Sequence, residues 1–404
     1  MTLPRSRRWR APLVVQAACL GAAWVGARLM IGYRALEQET GALGLGVVAA
    51  SFALPALLAA LPAGRISDRV GGMRLVVAGI AIQSASICGA ALTPSLTWLI
   101  AASICVGLGQ LLSTVGQQSF IAEQADRYAT DGAFGTLTSA ASIGQIAGPL
   151  IATWTATANL RSDAPEPDTT VALFVAALLT LLAIPSCLFL NRFPRRPSTV
   201  GSGDRQPTGS MLRTPGLWRA LFVSGVVLSA MDMLYAFLPA WAAQNSVPVT
   251  VVGWLLALRA GVTLLSRLGL SAMVTRWGRK PLLFVALSAA AVALATLPLV
   301  GAIGAIGAMI ALGIGLGLPQ PLTMAWVVAR AEPHSRGAAL GLRLTSNRTM
   351  QIGIPIVVGA AAGPLGASGI FWASAGLLTG AAAVVGSAGT ALNNPEAPDA
   401  SAVD

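Results

Sequence analysis

The stretch that decides the fold runs Gly64-Arg65-Ile66-Ser67-Asp68-Arg69-Val70-Gly71-Gly72-Met73-Arg74. Four charges and three glycines crowd into it. Residues 43–63 before it and 75–122 after it contain no charged side chain. A short charged segment between long charge-free runs reads as a connection between membrane-spanning helices.

Composition agrees. The chain has 404 residues, 55% hydrophobic and 10% charged, with a mean hydropathy of +0.72. A soluble domain carries about a quarter charged residues, so this one could not cover its surface with polar side chains. That excludes a water-soluble enzyme, a disordered chain and a free nucleic-acid binder, and leaves an all-α polytopic membrane protein. The net charge of +11 lies in connections between apolar runs, which is a topogenic pattern and gives no reason to invoke nucleic acid. At roughly 20 residues per span, twelve spans fit: about 11–33, 43–63, 75–93, 96–121, 133–157, 170–190, 219–243, 250–270, 281–300, 303–329, 338–361 and 370–391. Turn signals at Leu92-Thr93-Pro94-Ser95, Gly301 to Gly307 and Gly363-Pro364-Leu365-Gly366 divide the longest charge-free runs.

Nineteen Lys and Arg fall on one side of this topology, and only Arg34 and Arg161 on the other. The asymmetry places both termini in the cytoplasm, in a multi-pass cytoplasmic (inner) membrane protein. The basic N-terminus resembles a secretory signal, with Val25-Gly26-Ala27 as a weak cleavage site, but cleavage would leave an odd number of spans. Residues 191–217, rich in Pro, Gly, Ser and Arg, read as a cytoplasmic linker between a six-helix half (1–190) and a second (218–392). Residues 393–404 read as a disordered tail. Cys19, Cys88, Cys105 and Cys187 each lie in an apolar run without CxxC spacing, and His334 is the single histidine. Neither a disulfide framework nor a metal site is expected. No GxxxxGK[ST] loop is present, so ATP is not the direct energy source, and no cofactor is expected.

The halves repeat. Asp68-Arg69-Val70-Gly71 aligns with Thr275-Arg276-Trp277-Gly278 at an offset of 207. Gln145 and Pro149 align with Gln351 and Pro355 at 206, and Trp9-Arg10-Ala11 with Trp218-Arg219-Ala220 at 209. Six-plus-six parallel repeats with a site at their interface form a transporter architecture.

The opening stretch resembles the signature loop of the major facilitator superfamily, GxLaDRxGRr, through Gly64, Asp68, Arg69 and Gly71, with Arg74 alone at the displaced basic position. The second copy, Arg276, Gly278, Arg279 and Lys280, keeps the basic half and lacks the acid. The resemblance implies a gating loop that steadies the outward-facing state. In span 5, Gly135, Gly144, Gly148 and Pro149 resemble the superfamily's antiporter motif, gx8Gx3GPx2GG, whose final Gly pair is Ala152-Thr153 here. That resemblance implies proton-coupled efflux. The arginine that related efflux carriers place in span 4 is missing: the position is near Ser103, and span 4 has no charge.

Six charges remain inside spans, and each needs a reason, because a charge at mid-bilayer costs a few kcal/mol. Arg28 lies roughly 27 Å along span 1 and Arg267 near the inner end of span 8, where either could snorkel. Asp232, Arg259 and Arg348 lie roughly 15–20 Å from the nearest span end, and Arg343 is somewhat shallower. Asp232 has two readings: a protonatable coupling group, or a fixed counter-ion for Arg259 or Arg348. An arginine partner stabilises the charged carboxylate and works against proton carriage. The arginine excess suggests an anionic substrate. Arg343, Asn347, Arg348 and Gln351 share an arc of about 140° on span 11. Gln110, Ser113, Thr114, Gln117 and Gln118 give span 4 a polar face. Each arc faces either a wet cavity or a hydrogen-bonding helix. Trp24, Tyr235 and Trp241 could stack on a substrate. Spans 3, 6, 9 and 12 carry no charge; in the superfamily they face lipid.

The expectation is a monomeric secondary transporter with a small-molecule substrate, a proton as coupling ion and the lipid bilayer as its partners. Efflux of an amphipathic or anionic compound is the first reading. Organic-anion uptake or exchange is the alternative, and a non-transporting membrane sensor a second one.

Overall fold

The structure, a computed structural model, describes residues 9–92, 95–124, 130–158, 167–193, 216–330, 336–362 and 365–387. Most of the predicted linker, the tail, two of the turn signals (Thr93-Pro94 and Gly363-Pro364), and Arg127, Arg161 and His334 lie outside these residues.

The first half comprises α1 (Arg10–Glu37), α2 (Ala42–Ser51), α3 (Leu54–Val70), α4 (Gly72–Ala91), α5 (Leu96–Gln124), α6 (Thr130–Thr157), α7 (Thr169–Leu181) and α8 (Ile184–Leu190). The second comprises α9 (Leu217–Gln244), α10 (Val249–Leu268), α11 (Leu270–Trp277), α12 (Arg279–Thr296), α13 (Ala302–Gly317), α14 (Pro319–Arg330), α15 (Arg336–Ala362) and α16 (Gly366–Ser387). Short breaks divide single spans where a proline removes an N–H and crowds the preceding turn. Pro55 follows the break at Phe52-Ala53, Pro185 that at Leu182-Ala183, and Pro319 that at Leu318. Counted that way the described residues form twelve span-length units, each at its expected place. By length and composition, ten of the described units are long and apolar enough to span a bilayer. The other two, α6 and α15, have 28 and 27 residues.

The signature segment is not a loop. Helix α3 carries it as far as Val70, Gly71 alone turns the chain at φ 98°, and α4 begins at Gly72. The second copy does the same: α11 ends at Trp277, Gly278 turns at φ 80°, and α12 starts at Arg279. Those dihedrals are open to glycine and closed to side chains, so the two glycines aligned at offset 207 make the same one-residue turn.

Within each half, small residues bring backbones together, which is how helices associate where water supplies no drive. Gly144 and Gly148 of α6 abut the backbone of Ala18 and Ala22 on α1. Gly79 and Gly109 face each other between α4 and α5, where an added Cβ would come within 2.6 Å of the opposing carbonyl. Gly135 differs from the other motif glycines: nothing lies near it.

The halves meet at the end of the bundle that carries the α1–α2 and α9–α10 turns. There Gly46 of α2 presses on Pro355 of α15, Gly253 of α10 on Pro149 and Thr153 of α6, and Gly32 of α1 lies beside Tyr235, Ala236 and Pro239 of α9. Helix α2 packs along α15, whereas α3, at the opposite end, only touches it. The interface is therefore sealed at one end and parts toward the end bearing Gly71 and Gly278. Large apolar side chains such as Leu61, Trp154, Leu182, Val292, Leu299 and Ile303 are exposed, as a lipid-facing perimeter requires.

Candidate functional site

A cavity of about 270 Å³ lies at mid-depth between the halves, just below the sealed end. Its walls come from α1, the α2–α3 break, α3, α5, α6, α9, α10, α13, α14 and α15. Spans 3, 6, 9 and 12 contribute nothing to it, as expected of the uncharged spans.

Asp232 projects from α9, at the middle of a helix buried along most of its length. Arg28 of α1 donates from Nη1 to its Oδ1 at 2.7 Å. Gln351 of α15 donates from Nε2 to its Oδ2 at 2.6 Å. Both carboxylate oxygens are thus occupied. Gln351 in turn accepts from Arg348 Nη1 at 2.9 Å. The counter-ion predicted from Arg259 or Arg348 is in fact Arg28, which is buried and does not snorkel. This ion pair joins the two halves.

Arg28 also lies over three rings: Trp24 at 5.2 Å, Phe52 at 5.1 Å and Tyr235 at 5.7 Å. Arg259 covers Tyr235 at 5.1 Å and donates from Nη2 to its hydroxyl at 2.6 Å. The result is a row, Phe52, Arg28, Tyr235, Arg259, in which rings and guanidiniums alternate across the interface; cation–π contacts of this kind are stronger out of water. The repeat offset of 207 pairs Arg28 with Tyr235 and Phe52 with Arg259. Each half supplies one ring and one guanidinium from its first two spans, in opposite order.

Arg259 is 1% exposed, and its Nε has no partner. Arg267 lines the wall and does not snorkel either: its Nε donates to the Gly317 carbonyl and its Nη2 to Gln320 Oε1 at 2.9 Å. Gln110 gives its Nε2 to Thr114, at 3.4 Å, and leaves Oε1 buried without a donor. In all, Arg28, Arg259, Arg267 and Arg348 line the cavity against Asp232 alone among the described acids. Arg259, Arg267 and Arg348 have no carboxylate of a described residue within ion-pair distance. Buried charge without a counter-charge is unfavourable, which makes this a place for an anion.

Other candidates lie elsewhere. Arg343 turns to α14, donating to the Gln320 carbonyl and Thr323, and Asn347 is buried off the cavity. Gln117 donates to Gln16 inside the first half, and Gln16 donates to Cys187 Sγ. Trp241 is packed away, whereas Trp24 and Tyr235 line the wall. Asp68, Arg69 and Arg74 are exposed, far from the cavity. Phe52, Gln320 and Leu111 line the cavity without having been singled out by sequence. Phe52 alone carried a signal, as the repeat partner of Arg259.

The family profile described as Major Facilitator Superfamily matches residues 13–355 and, again, 231–402. The chain belongs to the Major Facilitator Superfamily. Solved structures agree in fold. The nucleoside transporter NupG superposes with a TM-score of 0.74 at 13% identity, covering 94% of this chain and 98% of that one. The peptide transporter POT in complex with sulfate gives 0.77 at 13%, covering 96% and 95%. A bacterial homologue of the human lysosomal transporter Spinster, inward-facing and occupied, gives 0.72 at 16%, covering 95% and 97%. No curated protein matches the sequence. This superfamily member is a multi-pass membrane protein and a secondary-active transporter of small molecules.

Proposed function

We propose that the protein carries an organic anion across the cytoplasmic membrane, by uptake or by exchange for a second anion. One observation carries this reading: four guanidiniums line the cavity, and its one carboxylate is already held by Arg28 and Gln351. A neutral or cationic substrate would leave three arginines uncompensated at mid-bilayer, where each charge is costly. An anion offsets that cost when it binds, so the loaded carrier reorients more readily than the empty one, which favours exchange.

The occupied carboxylate also supports the counter-ion role of Asp232 over proton carriage. The expectation of efflux rested on the span 5 motif. Its inner glycines are engaged in packing α6 on α1, and so say little about direction. With both termini cytoplasmic, the sealed end is the outer one and the cavity opens inward. The exposure of Asp68 fits a signature turn that has released its partner half in this orientation.

Counterflow in proteoliposomes tests the reading. Vesicles preloaded with an unlabelled organic acid should concentrate the labelled acid from outside, and empty vesicles should not. Flux of amphipathic cations or neutral compounds, with none of any anion, would overturn it. Flux without preloading that follows a proton gradient and vanishes in Asp232→Asn would restore the coupling role.

A further inference from the structure

The cavity walls differ in chemistry from side to side. The α10 and α15 side presents Arg259 and Arg348. The α1, α2–α3 and α5 side presents Trp24, Phe52, Ala53, Ala56 and Leu111. Trp24 and Phe52 meet edge to face, with centroids 5.6 Å apart and planes at 86°, and so make an apolar corner. Arg28 does not serve as an anion site: Asp232 takes its charge, and its guanidinium lies on both rings of the corner. It holds the corner in place. Gln110 also lines the cavity and keeps Oε1 buried and without a donor. A buried acceptor left unmet costs about 1–3 kcal/mol, which a ligand donor would recover.

Resting on the anion-carrier reading above, we infer that the substrate is a single-ring aromatic carboxylate bearing a hydroxyl or amino donor across the ring from the acid. The carboxylate meets Arg259 and Arg348, where paired guanidinium bonds are strongest. The ring lies in the Trp24–Phe52 corner, where offset or edge-on contacts add to burial. The ring donor reaches Gln110 Oε1. Size points the same way. At about 270 Å³ the cavity has room for one substituted ring.

The test is competition in the counterflow assay, with wild-type protein and a panel of 4-hydroxybenzoate, 4-aminobenzoate, benzoate, cyclohexanecarboxylate, succinate and 4-hydroxybenzyl alcohol. The two para-substituted benzoates should be transported and should compete best. Benzoate should be weaker by roughly tenfold for want of the donor, cyclohexanecarboxylate weaker again, and the neutral alcohol inert. Transport of succinate with no response to the benzoates would overturn this inference and leave the anion carrier standing. Failure of every anion would overturn both. Gln110→Leu should erase the preference for 4-hydroxybenzoate over benzoate; an unchanged preference would overturn the assignment of the ring donor to Gln110. The wild-type panel decides the substrate class even if a variant fails to fold.

Discussion

Arg28 shows how much one side chain can join: it pairs with Asp232 on the other half and covers rings from both. Removing one member of a buried pair costs roughly 3–5 kcal/mol, whereas removing both can be close to neutral. Arg28→Gln should therefore lower the detergent melting temperature more than Arg28→Gln combined with Asp232→Asn. The reverse order in thermal melts would mean that the rings, not the charges, hold the site. Asp232 was legible in the sequence because it is the one acid at mid-depth. Arg28 was among the candidates as well, but its depth was misjudged, for a geometric reason. Span 1 was expected to stop near residue 33, yet α1 continues to Glu37, and four more residues move the end by about 6 Å. A residue that counted as interfacial thus sits deep. Gln117 illustrates the opposite: a polar residue on a polar arc whose side chain serves the first half from within.

At the level of helices, glycines of one motif do different things, and substitutions should separate them. Gly148→Val forces a side chain into the α1 backbone at Ala22, and overpacking of this kind costs typically 1–3 kcal/mol. Gly135→Val meets open space. We expect the first to lower folded yield and melting temperature and the second to leave both near wild type; equal effects in a size-exclusion melt would argue against the packing role. Gly71→Ala places a Cβ at φ 98° and should cost about 1–3 kcal/mol in the same assay. The helices themselves were legible because each is written locally, in charge-free runs and proline breaks. The signature segment was read as a loop because charges cluster there. They cluster at the membrane boundary, however, and a helix does not stop where the membrane does: α3 and α11 run on past it to a single glycine.

For the molecule as a whole, two halves and twelve crossings could be read in advance, since duplication leaves an offset and composition leaves spans. The site could not, because its wall draws only a few residues from each of several helices. The sealed end offers a direct check of alternation. A Cβ added at Gly32 would stand 3.7 Å from the Ala236 carbonyl oxygen, in ordinary contact. In a background without native cysteines, Gly32→Cys with Ala236→Cys should cross-link on oxidation and stop counterflow, and reduction should restore it. Transport that persists through a complete cross-link would mean that these helices need not part. The unmatched guanidiniums also bear on a quantity that chemistry alone does not set, the voltage across the membrane. Crossing 100 mV is worth about 2.3 kcal/mol per elementary charge, and a cavity with four guanidiniums and one carboxylate holds three charges in excess. A negative interior pulls such a cavity inward when it is empty, and pulls less by one charge when a monoanion is aboard. An inside-negative potassium diffusion potential should therefore slow return of the empty carrier more than it slows exchange; identical rates with and without it would show that the charges do not move through the field. On that footing a resting cell biases the carrier toward its interior before any substrate arrives.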